Sequence, residues 1–375
     1  MTSYWLSEPS PPVVTRPLGG RADAAVIGGG VTGCACALAL ARGGLRVRLH
    51  EARTIASGAS GRNGGFALRG GAMPYDSARE YMGPTRAKEY WELTESYVER
   101  LAELAGDAVR LTGSLRLAAD AEERDELERE YEALREDGFA VEWVDALDPP
   151  LAGRFTAAIR HPADAALQPA HAVRWLAQAA AEAGVEIREQ DRVASLDDLD
   201  ADHVVVCTDG YPSGLLGELE GLIIPTRGQM LATEPLDDLL FPIPHYGRHG
   251  FDYWMQLPDR RLVAGGFRDS SLASEFTADE ETTPHIQSAL ESFLEELVGE
   301  PLTVTHRWAG IFGLVLDFLP LVGRVPGDER LWVAGGYSGH GNVLGLMCGE
   351  LVSEAILGRP HELLGAFDPA RMLQT

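Results

Sequence analysis

The apolar positions of the chain change period several times, and the changes divide it. Ala24-Ala25-Val26-Ile27 is a short continuous apolar run, the pattern of a strand buried on both faces. It runs into glycines and then into an alanine-rich helix over Val31 to Arg42. Leu45 to Leu49 reads as a second strand, closed by His50-Glu51. A glycine-rich loop occupies Ser57 to Gly71. Arg86 to Leu104 is an amphipathic helix, because Tyr90, Tyr97, Leu101 and Leu104 recur at helical spacing. Ala121 to Asp137 is a more charged helix stopped by Gly138. Ser114 to Leu117 and Val141 to Val144 read as strands beside them. A helix over His171 to Ala183, a strand over Val185 to Ile187 and an apolar strand over His203 to Cys207 restore the opening pattern. From Pro225 to about Phe318 strand-like runs dominate, among them Gly228 to Leu231, Tyr253 to Gln256 and Arg261 to Ala264, with one helix over Pro284 to Val298. A strand at Leu331 to Ala334 and a helix from about Val343 to Leu357 close the chain.

This order predicts an α/β fold made of two interleaved lobes. Residues 20–85, 155–225 and 325–375 form a Rossmann-type nucleotide-binding domain. Residues 86–154 and 226–324 form an α+β substrate lobe built on a mixed sheet. No internal repeat is visible.

Composition narrows the classes. The 375 residues are 45% hydrophobic and 24% charged, as in ordinary globular proteins. No apolar run reaches the roughly 20 residues needed to span a bilayer. The start, with Pro9, Pro11 and Pro12, lacks the form of a signal peptide, so a cytoplasmic location is expected. The formal charge of -25 disfavours nucleic acid and anionic lipid as partners. Cys34, Cys36, Cys207 and Cys348 sit in apolar or glycine-rich runs and read as buried thiols, with no metal site expected. Lys88 is the one lysine; the other fixed cations are arginines.

Gly28, Gly30 and Gly33 form G-x-G-x-x-G directly after a strand and at a helix start. The first glycine allows the turn, the second lets backbone amides reach a pyrophosphate, and the third lets helix and strand pack closely. The helix N-terminus, with Val31 and Thr32, presents free N–H groups and a positive dipole end. Glu51 stands where a carboxylate accepts from ribose hydroxyls. That acid disfavours NADP and leaves NAD and FAD open.

Several stretches together resemble the D-amino-acid-oxidase superfamily of flavoproteins, in the branch of glycine, sarcosine and gamma-glutamylputrescine oxidases. They are Ser3-Tyr4-Trp5-Leu6, the loop Ala56 to Phe66, Pro225-Thr226-Arg227-Gly228-Gln229, Arg307-Trp308-Ala309-Gly310 and Gly336-Tyr337-Ser338-Gly339-His340-Gly341. The resemblance implies FAD across the N-terminal unit and a mixed sheet capping its ring. It implies cofactor contacts at Ala52, Arg53, Ser60, Gly61, Arg62, Asn63, Gly64, Gly65, Val193, Thr208, Gly210, Gly336, Gly339, Gly341, Asn342 and Val343. It places Tyr253 on the capping sheet facing substrate and His340 beside the flavin; a core aromatic and a structural histidine are the bland alternatives.

Two departures shape the expected chemistry. Phe312 stands where glycine oxidases carry a carboxylate-binding arginine, which suggests an apolar wall and leaves Arg69 and Arg268 as candidate replacements. No cysteine lies in Ala309 to Gly313, where sarcosine-type members attach flavin, so FAD is expected to be noncovalent. The family's oxygen-activating lysine also has no evident counterpart. The function expected is hydride transfer from the Cα–H of a glycine-like or N-substituted amino acid to flavin, with imine hydrolysis and O2 as acceptor. Alternatives are a dehydrogenase, a gamma-glutamylputrescine-type oxidase, a flavin lobe serving tRNA modification, or a noncatalytic scaffold. Oligomeric state is not legible.

Overall fold

The computed structural model describes residues 2–373. Its first layer is a six-stranded sheet in the order Leu321–Arg324, Leu331–Gly335, His203–Val206, Ala24–Ile27, Val47–His50, Glu186–Arg188. All neighbours are parallel except the antiparallel pair at the Leu321–Arg324 edge. Both faces are covered, so Ala24 to Ile27 is buried at every position.

The helices Val31–Arg42 and Gly341–Ile356 lie against each other. Glycines make that approach possible. A Cβ at Gly345 would come within 2.6 Å of the Val31 side chain, and one at Gly349 within 2.5 Å of the Thr32 carbonyl oxygen. Ser353 Oγ donates to the Cys36 carbonyl at 3.1 Å. Thr32 Oγ1 and the Tyr337 hydroxyl meet at 2.9 Å. The two helix N-termini therefore open on one side of the sheet.

The second layer is an eight-stranded sheet: Val304–Leu314, Ile224–Pro235, Arg261–Gly266, Asp252–Gln256, His245–Gly247, Ser114–Ala118, Ala157–His161, Glu142–Val144. Strand periodicity divides its residues between two faces. Leu115, Leu117, Leu231, Trp254, Leu262 and Ala264 point back and bury Ile286, Leu290, Leu294 and Leu297 of the Pro284–Val298 helix. The other face looks toward the nucleotide lobe. Three short strands, Phe66–Ala67, Val109–Arg110 and Ala165–Leu167, form a third sheet.

Most elements lie where periodicity places them, and Val31–Arg42 and Pro284–Val298 do so to the residue. Strand bounds shift: Val47–His50 and Glu186–Arg188 replace the expected 45–49 and 185–187. A helix at Tyr75–Met82 was not anticipated. Two strands cross the expected domain limits. Ala157–His161 pairs with Ser114–Ala118 in the capping sheet, not in the nucleotide lobe. Leu321–Arg324 pairs with Leu331–Gly335 in the nucleotide sheet. Both are short apolar strands whose neighbours come from distant sequence, so composition alone did not assign them. No helix among the described residues is long and apolar enough to cross a membrane, and all four cysteines are buried and free.

The stretch Arg227-Gly228-Gln229 shows how alternation serves two ends. Arg227 and Gln229 point to the back face, where Arg227 binds Glu275 through Nε and Nη2, each at 2.8 Å. Gln229 Nε2 donates to the same carboxylate at 3.1 and 3.2 Å, and Gln229 Oε1 accepts the Thr283 N–H at 2.8 Å. Gly228, between them, faces the cavity described below. The network pins the 275–283 segment to the sheet. Glu275→Ala leaves a buried guanidinium unpaired, and a loss of about 3–5 kcal/mol of unfolding free energy is expected. Urea denaturation measures it; a change within experimental scatter would remove the network from the account.

Candidate active site

A cleft of about 470 Å³ runs along the carboxyl ends of the parallel strands. Of the residues expected at the cofactor, Gly28, Gly30, Val31, Thr32, Glu51, Ala52, Arg53, Ser60, Asn63, Val193, Thr208, Gly339, Gly341 and Asn342 line it. Gly28 has φ +111°, and a Cβ there would sit 2.6 Å from the Cys207 carbonyl oxygen. A Cβ at Gly33 would lie 1.8 Å from the Gly28 carbonyl oxygen, which is the helix–strand contact expected of the third glycine. Gly30 differs: a Cβ there would meet only the Ser60 side chain, with Oγ at 2.9 Å. That glycine keeps the mouth of the turn open, as a pyrophosphate requires. Glu51 accepts the Gly29 and Arg53 N–H groups at 2.7 Å each, which aims its carboxylate along the cleft with lone pairs left for ribose hydroxyls. The cradle, the helix N-termini and the acid fit a dinucleotide such as FAD.

Six of the expected contacts stand behind these walls. Gly33, Gly61, Gly65, Gly210, Gly336 and Val343 line neither this cleft nor the cavity beyond it. They are packing residues of the cradle. A Cβ at Gly61 would strike the Ala56 carbonyl, at Gly65 the Leu167 carbonyl, and at Gly210 the Phe312 backbone, all within 2.6 Å. Gly336 donates its N–H to Asp209 at 2.7 Å, and Val343 is buried in the first turn of its helix. Arg62 is committed to structure as well: Nε donates to the Ser57 carbonyl and Nη1 to the Ala309 carbonyl.

Two acids at the cleft escaped the sequence reading. Glu280, from the pinned segment, binds Arg53 through both oxygens at 2.8 and 3.1 Å and accepts the Tyr211 hydroxyl at 2.6 Å. Burial acts to raise the Glu280 carboxyl, but the bonds from Arg53 and Tyr211 outweigh it and hold its pKa below the ordinary value. Asp209 accepts from Gly313 and Gly336, which clamps the end of Val304–Leu314 beside the glycine turn at 335–341. A lone acid in a loop gives no sequence signal of either role.

A second cavity, of about 880 Å³, continues from the cleft and shares Ala59, Asn63, Phe312, Gly339 and Asn342 with it. Asn63 and Asn342 exchange amide bonds at 3.0 and 3.1 Å, joining the glycine-rich loop to the last helix at this junction. Arg62 and Gly64 also border the second cavity, as do all five expected substrate-side residues, Arg69, Tyr253, Arg268, Phe312 and His340. Strand register explains the meeting. Tyr253 pairs with Gly265, Gly265 with Met230, and Thr226 with Phe312 on the cavity face. The Tyr253 ring leans over Gly265 toward Gly228, whose missing side chain leaves room for the hydroxyl. Burial raises its pKa, so the phenol stays neutral and can donate.

The two candidate arginines part company. Arg69 is buried, paired with Glu95, close to the Ala140 carbonyl and His161, and stacked on Phe139. It is not available to a substrate carboxylate, and that expectation is corrected. Arg268 stands between the rings of Phe251 at 4.4 Å and Phe312 at 5.5 Å. It has no hydrogen-bond or ion-pair partner among the described residues, and burial pulls its pKa down. Phe312 is thus an apolar wall that also seats a cation. His340 caps the helix Gly341–Ile356 with its Nδ1 buried and unpartnered. Burial lowers its pKa to about 4, so its ring is neutral above that pH.

Comparison with known proteins agrees with this geometry. The family model described as FAD dependent oxidoreductase matches residues 23–355. The chain is similar to "Probable oxidoreductase OrdL" of Rhizobium meliloti (strain 1021), at 28% identity over 96% of this chain and 89% of that one. It is similar to gamma-glutamylputrescine oxidoreductase of Escherichia coli (strain K12), at 28% over 90% and 84%. The crystal structure of glycine oxidase from Geobacillus kaustophilus superposes with a TM-score of 0.76 at 26% identity, covering 94% of this chain and 99% of that one.

Gly30→Val is expected to give a folded protein that holds no flavin, because its side chain enters the open turn and touches little protein. Gly33→Val, which collides with backbone, is expected to lose the fold itself. Circular dichroism and flavin absorbance separate the two; full flavin occupancy in Gly30→Val would misplace the site. Acid precipitation of the parent protein is expected to release intact FAD, since Val304–Leu314 carries no cysteine. Flavin remaining on the precipitated chain would contradict noncovalent binding.

Proposed function

The chain belongs to the FAD dependent oxidoreductase family, and from that premise we propose that it oxidises an N-substituted or otherwise extended amino acid, with O2 as the final acceptor. The observation that carries this reading is Arg268, a half-buried guanidinium on the cavity face with no hydrogen-bond or ion-pair partner among the described residues. A cation partly withdrawn from water is stabilised when a ligand completes it. A substrate carboxylate does so through the planar fork of the guanidinium.

FAD held by the glycine turn at 28–33, Ser60 and Glu51 would supply a two-electron acceptor for the hydride of the substrate α carbon, with O2 as the terminal acceptor. The chain's own residues orient and desolvate. Arg268 fixes the carboxylate, and Phe251 and Phe312 hold Arg268 from both sides. Phe312 and the trough over Gly228 and Gly265 admit hydrocarbon. Tyr253 directs its hydroxyl into that trough. The neutral ring of His340 adds no charge near the amine, and the fixed positive charge of Arg268 lowers the amine pKa, so the nitrogen loses its proton to solvent on binding. The resulting imine hydrolyses to a carbonyl compound and a released amine or ammonia.

A dehydrogenase with another acceptor is the second reading. It is favoured by Lys88, the chain's one lysine, which lies on the Pro84–Ala105 helix, 3.8 Å from Glu92, and lines neither cavity. Anaerobic mixing with amines and amino acids tests both readings through flavin bleaching, and O2 consumption then separates them. No bleaching by any amine or amino acid would sink the amine-oxidising function.

N-alkyl glycines are expected to exceed glycine in kcat/KM; glycine as best substrate would overturn the apolar wall. Arg268→Met is expected to reduce kcat/KM for carboxylate-bearing substrates by about 100-fold, mainly through KM, with flavin content unchanged. Tyr253→Phe is expected to cost about 10-fold, the value of one hydrogen bond to a charged or reacting group. Steady-state kinetics at saturating O2 measures both, and unchanged constants would return these side chains to packing roles.

A further inference from the structure

We propose that the substrate cavity binds two anionic groups, and that Arg116 with His161 holds a second carboxylate at the far end of the substrate chain. To call that ligand a substrate rests on the oxidase reading above; the two-anion cavity itself does not.

Register sets the distance. Arg116 pairs with Tyr246, and Tyr246 with Tyr253, so the three side chains share the cavity face in one row. Adjacent strands are about 4.8 Å apart, which puts Arg116 on the order of 10 Å from Tyr253. His161 pairs with Ser114, two positions before Arg116, and so faces the same way. Arg116, Tyr246 and His161 all border the cavity.

The chemistry of this end is one-sided. Arg116 Nη1 binds Glu130 Oε2, and the other Glu130 oxygen accepts the Tyr75 N–H at 3.2 Å. The Glu130 carboxylate is thereby occupied and holds the guanidinium in place. The remaining Arg116 nitrogens have no partner among the described residues. His161 is 7% exposed, and its Nε2 is buried without a partner. Its Nδ1 lies 3.4 Å from Arg69 Nη2, which can only donate. Nδ1 must accept, so the proton of the neutral ring sits on Nε2. Burial and the nearby Arg69 and Arg116 charges, which lower its pKa, keep the ring neutral. Arg116 and His161 therefore offer donors only. Neither residue offers an ammonium an acceptor, and Glu130 beside them is engaged by Arg116 and the Tyr75 N–H; a carboxylate satisfies both residues. Arg268 supplies the matching station at the Phe312 end.

The ligand class is an amino acid or secondary amine whose chain ends in a second carboxylate. The test is equilibrium titration of the holoprotein, read from the visible flavin spectrum, with adipate, pimelate and suberate against hexanoate, heptanoate and octanoate, and against the monoamide of each diacid. At the best length the diacid is expected to bind at least about 10-fold more tightly than its monoacid. Arg116→Met/Glu130→Gln removes both charges together and keeps an acceptor for the Tyr75 N–H; the preference is expected to fall to near one while monoacid binding holds. Arg116→Lys keeps the ion pair and loses the fork, and the preference is expected to fall there also, which covers the case in which the double variant does not fold. Equal affinity of diacid and monoacid at every length overturns the proposal. So does a monoamide that binds as tightly as the diacid, or a preference that survives both variants. No turnover is needed, so a diacid preference without bleaching by any amine would fault the oxidase reading alone, and bleaching without the preference would fault this proposal alone.

Discussion

The close approach of Val31–Arg42 and Gly341–Ile356 is the contact on which the site depends. It exists because Gly345 and Gly349 present no side chain to Val31 and Thr32. A methyl group would lie 2.6 Å from Val31 at residue 345 and 2.5 Å from the Thr32 carbonyl oxygen at residue 349, so the helices could not keep this contact. With them in contact, the N-terminus that follows the first glycine turn and the one that follows His340 open on the same cleft. One can face a pyrophosphate and the other the junction with the second cavity. The glycines that achieve this lie one and two turns into the last helix, away from any ligand, where they read as ordinary helix-weakening residues.

The nucleotide unit was legible because its signal is local. Strand, turn, helix, strand and acid follow one another within residues 24 to 51, and the contact that requires Gly33, with the Gly28 carbonyl, lies in the same stretch. The capping sheet was legible in kind and not in detail. Ala157–His161 looks like the strands of either lobe, and only its pairing with Ser114–Ala118 decides. The arginines show the same limit at the level of single side chains. Arg69 and Arg268 both follow glycine-rich turns and carry the same prior. Glu95 neutralises one, and two phenylalanines flank the other. Those partners come from helix Pro84–Ala105 and from residues 251 and 312, so no local pattern distinguishes them. Arg116 was missed for a related reason. Between Leu115 and Leu117 it reads as the solvent side of an edge strand, whereas its strand lies inside the sheet and the polar side is the cavity wall.

The charge of the whole chain and the charge of the cavity point in opposite directions, and distance decides which matters. The formal charge is -25, yet surface carboxylates in salt act over only about 8 Å. Arg268 lines the cavity, with the rings of Phe251 and Phe312 on either side. A carboxylate that reaches it exchanges water for a fixed, desolvated partner, and the unfavourable outer field is a small correction.

Phe312 then has a reason beyond filling space. On Val304–Leu314 its side chain projects over Gly228 and Gly210 packs on its backbone. An arginine at this position would place a second guanidinium beside that of Arg268, since the Phe312 ring is already 5.5 Å from it. Two such cations at that separation repel strongly in a buried site. The cation is instead set on the turn after Arg261–Gly266, and the ring that replaces it becomes one of its two supports. The consequence is geometric: a substrate carboxylate bound as proposed would be held from the rim after the next strand but one, and the space over the glycine trough would be left to hydrocarbon. A pocket arranged in this way would separate the anchoring of a carboxylate from the accommodation of the chain attached to the amine, and so would admit substrates that a cation at residue 312 would crowd out.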